Sequence, residues 1–249
     1  MMKMRRQKDL ILNTKWDVLI ILDACRYDVF KSEYGHIFDV EAVMSEESCT
    51  DNWFSKTFTK RLKDVIYVTA NPHITSYKHS WFFWKVVEVW RFGWRKIGCA
   101  WTVSPETVVN TSKLLSRIHP NKRQIIHFLQ PHGPYPMCSE LERYFVNDMG
   151  NPELRMWDAL KRGEVNVEMA RRCYLENLRW VMKSVMKLLN FFKGKRVVIT
   201  ADHGECFGED GIYGHPCGTR HKTLLIIPWV ELQYDRISLK TSTQTSVQK

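Results

Sequence analysis

Residues 196–216, Arg-Val-Val-Ile-Thr-Ala-Asp-His-Gly-Glu-Cys-Phe-Gly-Glu-Asp-Gly-Ile-Tyr-Gly-His-Pro, restrict the fold of this chain more than any other stretch. A short apolar run with no polar alternation reads as a strand buried on both faces, which is the habit of a parallel sheet. The run stops at Asp202-His203-Gly204, and a glycine-rich loop leads to a second histidine, His215. In open α/β sheets ligands gather just beyond the carboxyl ends of the strands. An Asp-His pair there offers a cation one oxygen and one nitrogen, and Gly204 is expected to let a ligand approach the backbone.

The pattern recurs near the N-terminus. Trp16 to Asp23 is apolar and also ends in an aspartate, and the residues after Ala24 read as the start of a helix. Two parallel strands, each delivering an aspartate at its tip, bring two carboxylates and an imidazole together. Those carboxylates repel unless something compensates them, and a divalent cation does so simply.

Further apolar runs follow at Val65–Thr69, Gln124–Leu129 and Leu224–Ile227, the last closed by Pro228. Helical patterns lie between them. Ser104-Pro105 is a cap and first-turn pair, with Val108, Leu115 and Ile118 behind it. Tyr174, Leu178, Val181, Val185, Leu188 and Phe192 mark one face of a long helix that Gly194 stops. Strands alternating with helices predict an α/β chain, a three-layer αβα sandwich around a mostly parallel central sheet.

The 249 residues are expected to form a single catalytic domain over 1–249. Two segments interrupt its rhythm: an aromatic-rich insertion near 78–103, with five tryptophans and interleaved Lys and Arg, and a helical insertion near 136–170. The first is read as packing or a substrate lid in preference to a peripheral membrane contact. The tail from Ser238 is expected to fray. A net charge of +10 suits an anionic partner, a phosphate- or sulfate-bearing substrate, an anionic lipid surface or nucleic acid, and equally a charge that only keeps the chain soluble. Nucleic acid is disfavoured because the basic residues are dispersed. No apolar run is long enough to span a bilayer and no signal peptide is read. With seven scattered cysteines, this predicts reduced thiols in a cytoplasmic, at most membrane-peripheral, protein.

Trp53, Phe54, Phe58 and Leu62 recur at helical spacing, so a helix begins near Thr50. A hydroxyl at a helix N-terminus that also touches a cation becomes a usable nucleophile; from local sequence alone the ordinary cap is the favoured reading, and the company of Asp23, Asp202 and His203 is what changes it. His132, in Gln130-Pro131-His132-Gly133-Pro134-Tyr135, follows a strand end. It is placed to protonate a leaving group or to face solvent. His215 carries the same two readings. Arg26 and Lys222 are possible anion partners, and Cys49 reads as a packing residue.

Asp23 at a strand tip, Thr50 at a helix start, His132 in its proline loop, and Asp202-His203-Gly204-Glu205 followed by Gly214-His215 together resemble the alkaline phosphatase superfamily. The sulfatase-like branch is nearest. The Asp-His-Gly-Glu loop is also similar to that of phosphoethanolamine transferases and lipoteichoic acid synthases. The resemblance runs from about residue 16 to 230. It implies that Asp23, Thr50, Asp202 and His203 hold one divalent metal ion (Mn, Zn, Ca or Mg), with a second admitted. It implies that Thr50 is the catalytic nucleophile and that His132 and His215 serve the transferred group. The implied function is a metal-dependent hydrolase or transferase of phosphate or sulfate esters. A membrane-surface head-group or sugar-phosphate transferase and a non-catalytic binding member are the alternatives. Neither Cys49 nor Cys25 opens the Cys-x-Pro-x-Arg motif of formylglycine sulfatases, so that chemistry is not expected.

Overall fold

The computed structural model describes residues 4–145 and 152–233. Its centre is a seven-stranded sheet built from β1 (Val18–Asp23), β2 (Glu41–Met44), β3 (Leu62–Thr69), β4 (Phe83–Glu88), β7 (Arg123–Pro131), β8 (Val197–Ala201) and β11 (Ile226–Leu232). Two short hairpins stand outside it, β5 (Trp94–Ile97) with β6 (Ala100–Val103), and β9 (Cys206–Phe207) with β10 (Tyr213–Gly214). The order across the sheet is β2-β11-β8-β1-β7-β3-β4. β8, β1, β7, β3 and β4 are parallel in turn, and β11 runs against both of its neighbours. The carboxyl ends of β1, β2, β3, β7 and β8 therefore share one edge.

The reason is legible in the strands. Val18–Asp23 and Val197–Ala201 are buried at every position, as central parallel strands must be. Helices Pro105–Ile118 and Val167–Phe191 pack on each other and on β7. Ser104 caps the first by accepting from Thr107 N, and Asn166 caps the second by accepting from the amides of Glu168 and Met169. The other face carries Gln7–Asn13 and Thr50–Thr57. There Trp53 donates to Gln7 (2.7 Å), which donates to Thr200 of β8 (2.9 Å). The predicted α/β fold, three layers around a mostly parallel sheet, is what the chain adopts.

Several expectations are corrected. Leu224 and Leu225 belong to a helical turn, Lys222–Leu225, and β11 continues through Pro228 to Leu232. The proline is tolerated because pairing with β8 begins only at Trp229. The edge strands β2 and β4 were not anticipated; each is partly exposed, and their apolar residues do not form the continuous buried run of a central strand. The aromatic segment thus supplies one sheet strand and the β5–β6 hairpin. Residues 136–170 include the turn Ser139–Tyr144 and the helix Pro152–Lys161, around a small core of Tyr135, Trp157, Tyr174 and Phe207. The tail from Ser238 lies outside the described residues. No described helix is long and apolar enough to cross a membrane.

The reduced-thiol expectation also fails. Cys49 is bonded to Cys217 and Cys138 to Cys173, leaving Cys25, Cys99 and Cys206 free. Such bonds persist in oxidising compartments. Cys49 is a crosslink, where packing alone was expected.

Candidate functional site

Asp23 closes β1. The next residue, Ala24, has φ 55°, a left-handed turn that a residue with a β-carbon adopts at some cost. The turn aims the Ala24 amide at Asp202 Oδ1 (3.0 Å), which also accepts from the His203 amide (2.9 Å). Asp202 is thus held by backbone from two strand ends. Its other oxygen, Oδ2, accepts from the Thr50 hydroxyl at 2.7 Å. Thr50 is the first residue of its helix, delivered by the loop after β2, and its Oγ1 lies 3.4 Å from His203 Nε2. Asn71, past the end of β3, donates to Asp23 Oδ2 (2.5 Å) and Thr50 Oγ1 (3.2 Å). The four residues predicted to share a cation therefore converge, all buried.

His203 Nδ1 lies 2.9 Å from its neighbour's carbonyl, Gly204 O, so that nitrogen carries the proton. Nε2 keeps its lone pair and faces Asp202 Oδ2 (3.4 Å) and Asp23 Oδ1 (3.8 Å). Burial pushes the His203 imidazole down to about 4, so it is neutral. Burial, and then the charge of Asp202, raise Asp23 well above the usual carboxylate range. Burial acts against ionisation of Asp202 as well. His203, His127 and the hydrogen bonds from Thr50 and Ala24 outweigh it and hold Asp202 low. The pair shares its charge unequally because two bare carboxylates this close repel.

His127 was not anticipated as a site residue. It lies inside β7, fully buried, with Nε2 3.8 Å from Asp23 Oδ2 and 3.7 Å from Asp202 Oδ2. Its Nδ1 is 3.0 Å from the Tyr67 hydroxyl. Tyr67 is also buried, and its proton has no other acceptor among the described residues, so Tyr67 donates to Nδ1. His127 then carries its proton on Nε2, directed at the two carboxylates. It acts as a dipole that steadies them and does not offer them a lone pair. Burial keeps this ring neutral too, at about 4.

The donor set fits a divalent cation. Oxygens of Asp23, Thr50 and Asp202 and one imidazole nitrogen form the mixed O/N environment that zinc, manganese and related ions take. Asp23 Oδ1 is buried without a hydrogen-bond partner, an acceptor that a cation would satisfy.

His132 and His215 stand above this floor. The His132 amide donates to Asp23 O (3.1 Å), and the His132 and His215 ring centroids are 4.9 Å apart. His215 also stacks near His203 (4.5 Å), and its Nδ1 is 2.8 Å from the buried Glu205. His132, Glu205 and His215 form a second group able to hold an ion. All six predicted positions are thus adjacent. Thr50, Asn71, His132 and His215 open onto a cavity of about 490 Å³ walled by Trp94 and Trp101 of the β5–β6 hairpin.

Three readings are revised. Gly204 does not admit a ligand: a β-carbon there would sit 2.0 Å from Thr223 O, so the glycine serves backbone packing. Arg26 faces away from the cavity and anchors the glycine-rich loop, with its guanidinium 2.6 Å from both Asp28 and Glu209. Lys222 opens a helical turn beside a different depression.

No family model and no curated protein sequence matches the chain. The likeness lies in three-dimensional structure. The soluble domain of lipooligosaccharide phosphoethanolamine transferase A from Neisseria meningitidis superposes with a TM-score of 0.60 at 14% identity, over 86% of this chain and 75% of that one. The C-terminal periplasmic domain of EcEptC from Escherichia coli, in complex with zinc, gives 0.56 at 12% identity over 92% of this chain and 75% of that one. A 2-O GAG sulfatase gives 0.59 at 10% identity over 88% of this chain; the chain spans 64% of that enzyme. The chain therefore shares the fold of these transferase and sulfatase domains, the alkaline-phosphatase-like sandwich expected above. The cytoplasmic expectation is withdrawn: a neighbouring structure is a periplasmic domain, and four of the cysteines are paired.

Proposed function

We propose, from the alkaline-phosphatase-superfamily fold and the convergence of Thr50 with two buried aspartates, that this chain transfers or hydrolyses phosphate or sulfate esters through Thr50, outside the cytoplasm. One observation carries the reading. The Thr50 hydroxyl, at a helix N-terminus, lies 2.7 Å from Asp202 and 3.4 Å from His203. Asp23, Thr50, Asp202 and His203 would hold one divalent cation, with His132, Glu205 and His215 able to hold a second. A bound cation supplies charge compensation for the carboxylates and lowers the pKa of the Thr50 hydroxyl.

The protein's own groups do the rest. Thr50 releases its proton to solvent in the cavity it lines, and its oxygen attacks the phosphorus or sulfur. The bond to the leaving oxygen breaks, and that oxygen takes a proton from His132 or His215. Water or an acceptor hydroxyl then gives a proton to the same imidazole and displaces the group from Thr50, whose oxygen leaves with the bonding pair and regains a proton from solvent. Asn71 holds the Thr50 oxygen in line through its amide. The helix terminus favours the negative charge that develops there.

The direct test is a quenched turnover of aryl phosphate, phosphodiester or aryl sulfate with Zn²⁺, Mn²⁺, Mg²⁺ or Ca²⁺, followed by peptide mass spectrometry. The expected result is one phosphoryl or sulfuryl group on the peptide containing Thr50. Turnover with the group on another side chain would refute the assignment.

A further inference from the structure

The residue before Thr50 and the residue two after His215 are joined covalently, by the Cys49–Cys217 disulfide. The two segments are 168 residues apart in sequence. They are also stitched by hydrogen bonds: Ser48 Oγ donates to Pro216 O at 2.7 Å and accepts from the Thr219 amide at 3.1 Å. Cys49 occupies the cap position of the Thr50 helix and makes no side-chain capping bond. A Ser, Thr or Asp there would satisfy a helix amide. This chain gives up that bond and uses the position for a crosslink. Cys49 and Cys217 both line the cavity that Thr50 and His215 open onto, and Cys217 is exposed.

His215 itself is bonded to Glu205, but the segment that follows it has little regular structure. That segment leaves β10 at Gly214, where φ is 71°, and runs through bends to the turn at Lys222. No sheet ladder of the described residues holds positions 215–221. Among the described residues, the segment is attached to the stretch that leads into the Thr50 helix by the Cys49–Cys217 bond, the two hydrogen bonds of Ser48 and the long Arg220–Glu47 ion pair (3.9 Å), of which only the first is covalent.

We propose that the Cys49–Cys217 disulfide is a positioning element that holds the His215 loop over the Thr50 hydroxyl, and that its reduction releases the loop and lowers turnover. The inference rests on the reaction assigned to Thr50. A dithiol attacks the exposed Cys217 sulfur and the disulfide bond breaks. Cys49 leaves as a thiolate and takes a proton. The dithiol's second sulfur then displaces Cys217, so the reductant ends as a disulfide and both cysteines end as thiols. Turnover depends on the bond because misplacing a reacting group by about 1 Å costs on the order of a hundredfold.

Three measurements test this on the whole chain. Non-reducing peptide mapping should yield the linked Cys49 and Cys217 peptides; finding both free overturns the proposal. Amide exchange over 213–221 should quicken about tenfold or more in Cys49→Ser/Cys217→Ser, as local opening becomes easier, and unchanged exchange overturns it. In that variant kcat should fall about tenfold or more with KM within about twofold, the signature of a lost transition-state contact. Its remaining activity should no longer respond to dithiothreitol, followed by desalting and resupply of the metal ion. Cys138→Ser/Cys173→Ser is the control: its melting temperature falls while its kcat stays within about twofold of wild type. A Cys49→Ser/Cys217→Ser enzyme with wild-type kcat overturns the proposal. A wild-type chain without turnover on any ester counts against the Thr50 reaction itself, and the exchange result then decides the clamp alone.

Discussion

Thr50 gives its single hydroxyl proton to Asp202, at 2.7 Å, while Asn71 donates to the same oxygen at 3.2 Å. The oxygen is therefore oriented before any substrate arrives. Thr50→Ala removes it, and turnover should fall by at least about a thousandfold, as when a nucleophile is deleted. Thr50→Ser keeps the oxygen and should retain measurable activity. Thr50→Ala also deprives buried Asp202 of a donor, a loss of about 1–3 kcal/mol measurable by urea unfolding. A Thr50→Ala enzyme with wild-type kcat would leave the nucleophile elsewhere.

Asp23 and Asp202 titrate unequally, Asp23 high and Asp202 low. A cation entering between them competes with the proton that the pair holds. Binding should release protons, and affinity should strengthen as pH rises, approaching about tenfold per unit where a full proton is displaced. Calorimetric titration of the metal-free protein in two buffers of different ionisation enthalpy measures the release. Asp23→Asn should weaken binding and flatten the pH dependence. An affinity independent of pH would argue that the cation does not meet this pair.

Most of this site could be read from local sequence, for a physical reason. Asp23 and Asp202 end strands buried on both faces, and such strands are continuous apolar runs whose ends are easy to find. Thr50 begins an amphipathic helix, another local pattern. His127 gave no local sign. An imidazole inside an apolar strand is indistinguishable from a core histidine until the register sets it opposite Ile21, beside two aspartates. Asn71, just past the end of β3, gave no local sign either. The Cys49–Cys217 pairing spans most of the chain, and cysteine spacing does not determine connectivity. The edge strands β2 and β4 are partly exposed, so their burial pattern lacks the contrast that marks a core strand.

Arg26 joins the start of one helix to the glycine-rich loop. Its guanidinium is nearly buried, bonded to Asp28 and Glu209 and, at 3.2 Å, to Glu205 O. Burial raises the pKa of both acids, but Arg26 outweighs it and holds them below their usual range. Carboxylates depressed in the folded state stabilise it above their unfolded pKa values, about 3.9 and 4.3, and lose that contribution as pH falls through the folded values. Arg26→Met should cost about 1–3 kcal/mol at neutral pH, since it removes charge-assisted hydrogen bonds. The gap to wild type should narrow below about pH 4 as the acids protonate. Urea unfolding at both pH values checks it. A gap that stays constant into acid would assign the loss to packing.

Trp94 and Trp101 share one face of the β5–β6 hairpin, since Trp94 is opposite Val103 and Lys96 opposite Trp101. They remain 42% and 38% exposed and wall the cavity above Thr50. Indole faces left open beside a reaction centre offer a ring or apolar group of the substrate a contact worth about 1 kcal/mol. That contact is made equally in the ground and transition states, so its loss should act on binding. Trp94→Ala and Trp101→Ala are each expected to raise KM about three- to tenfold with kcat nearly unchanged. Trp84 is similarly exposed, at 43%, but packs near His119 and lies outside the cavity lining. Trp84→Ala should leave both constants alone. If all three variants behave alike, the tryptophan wall has no part in holding the substrate.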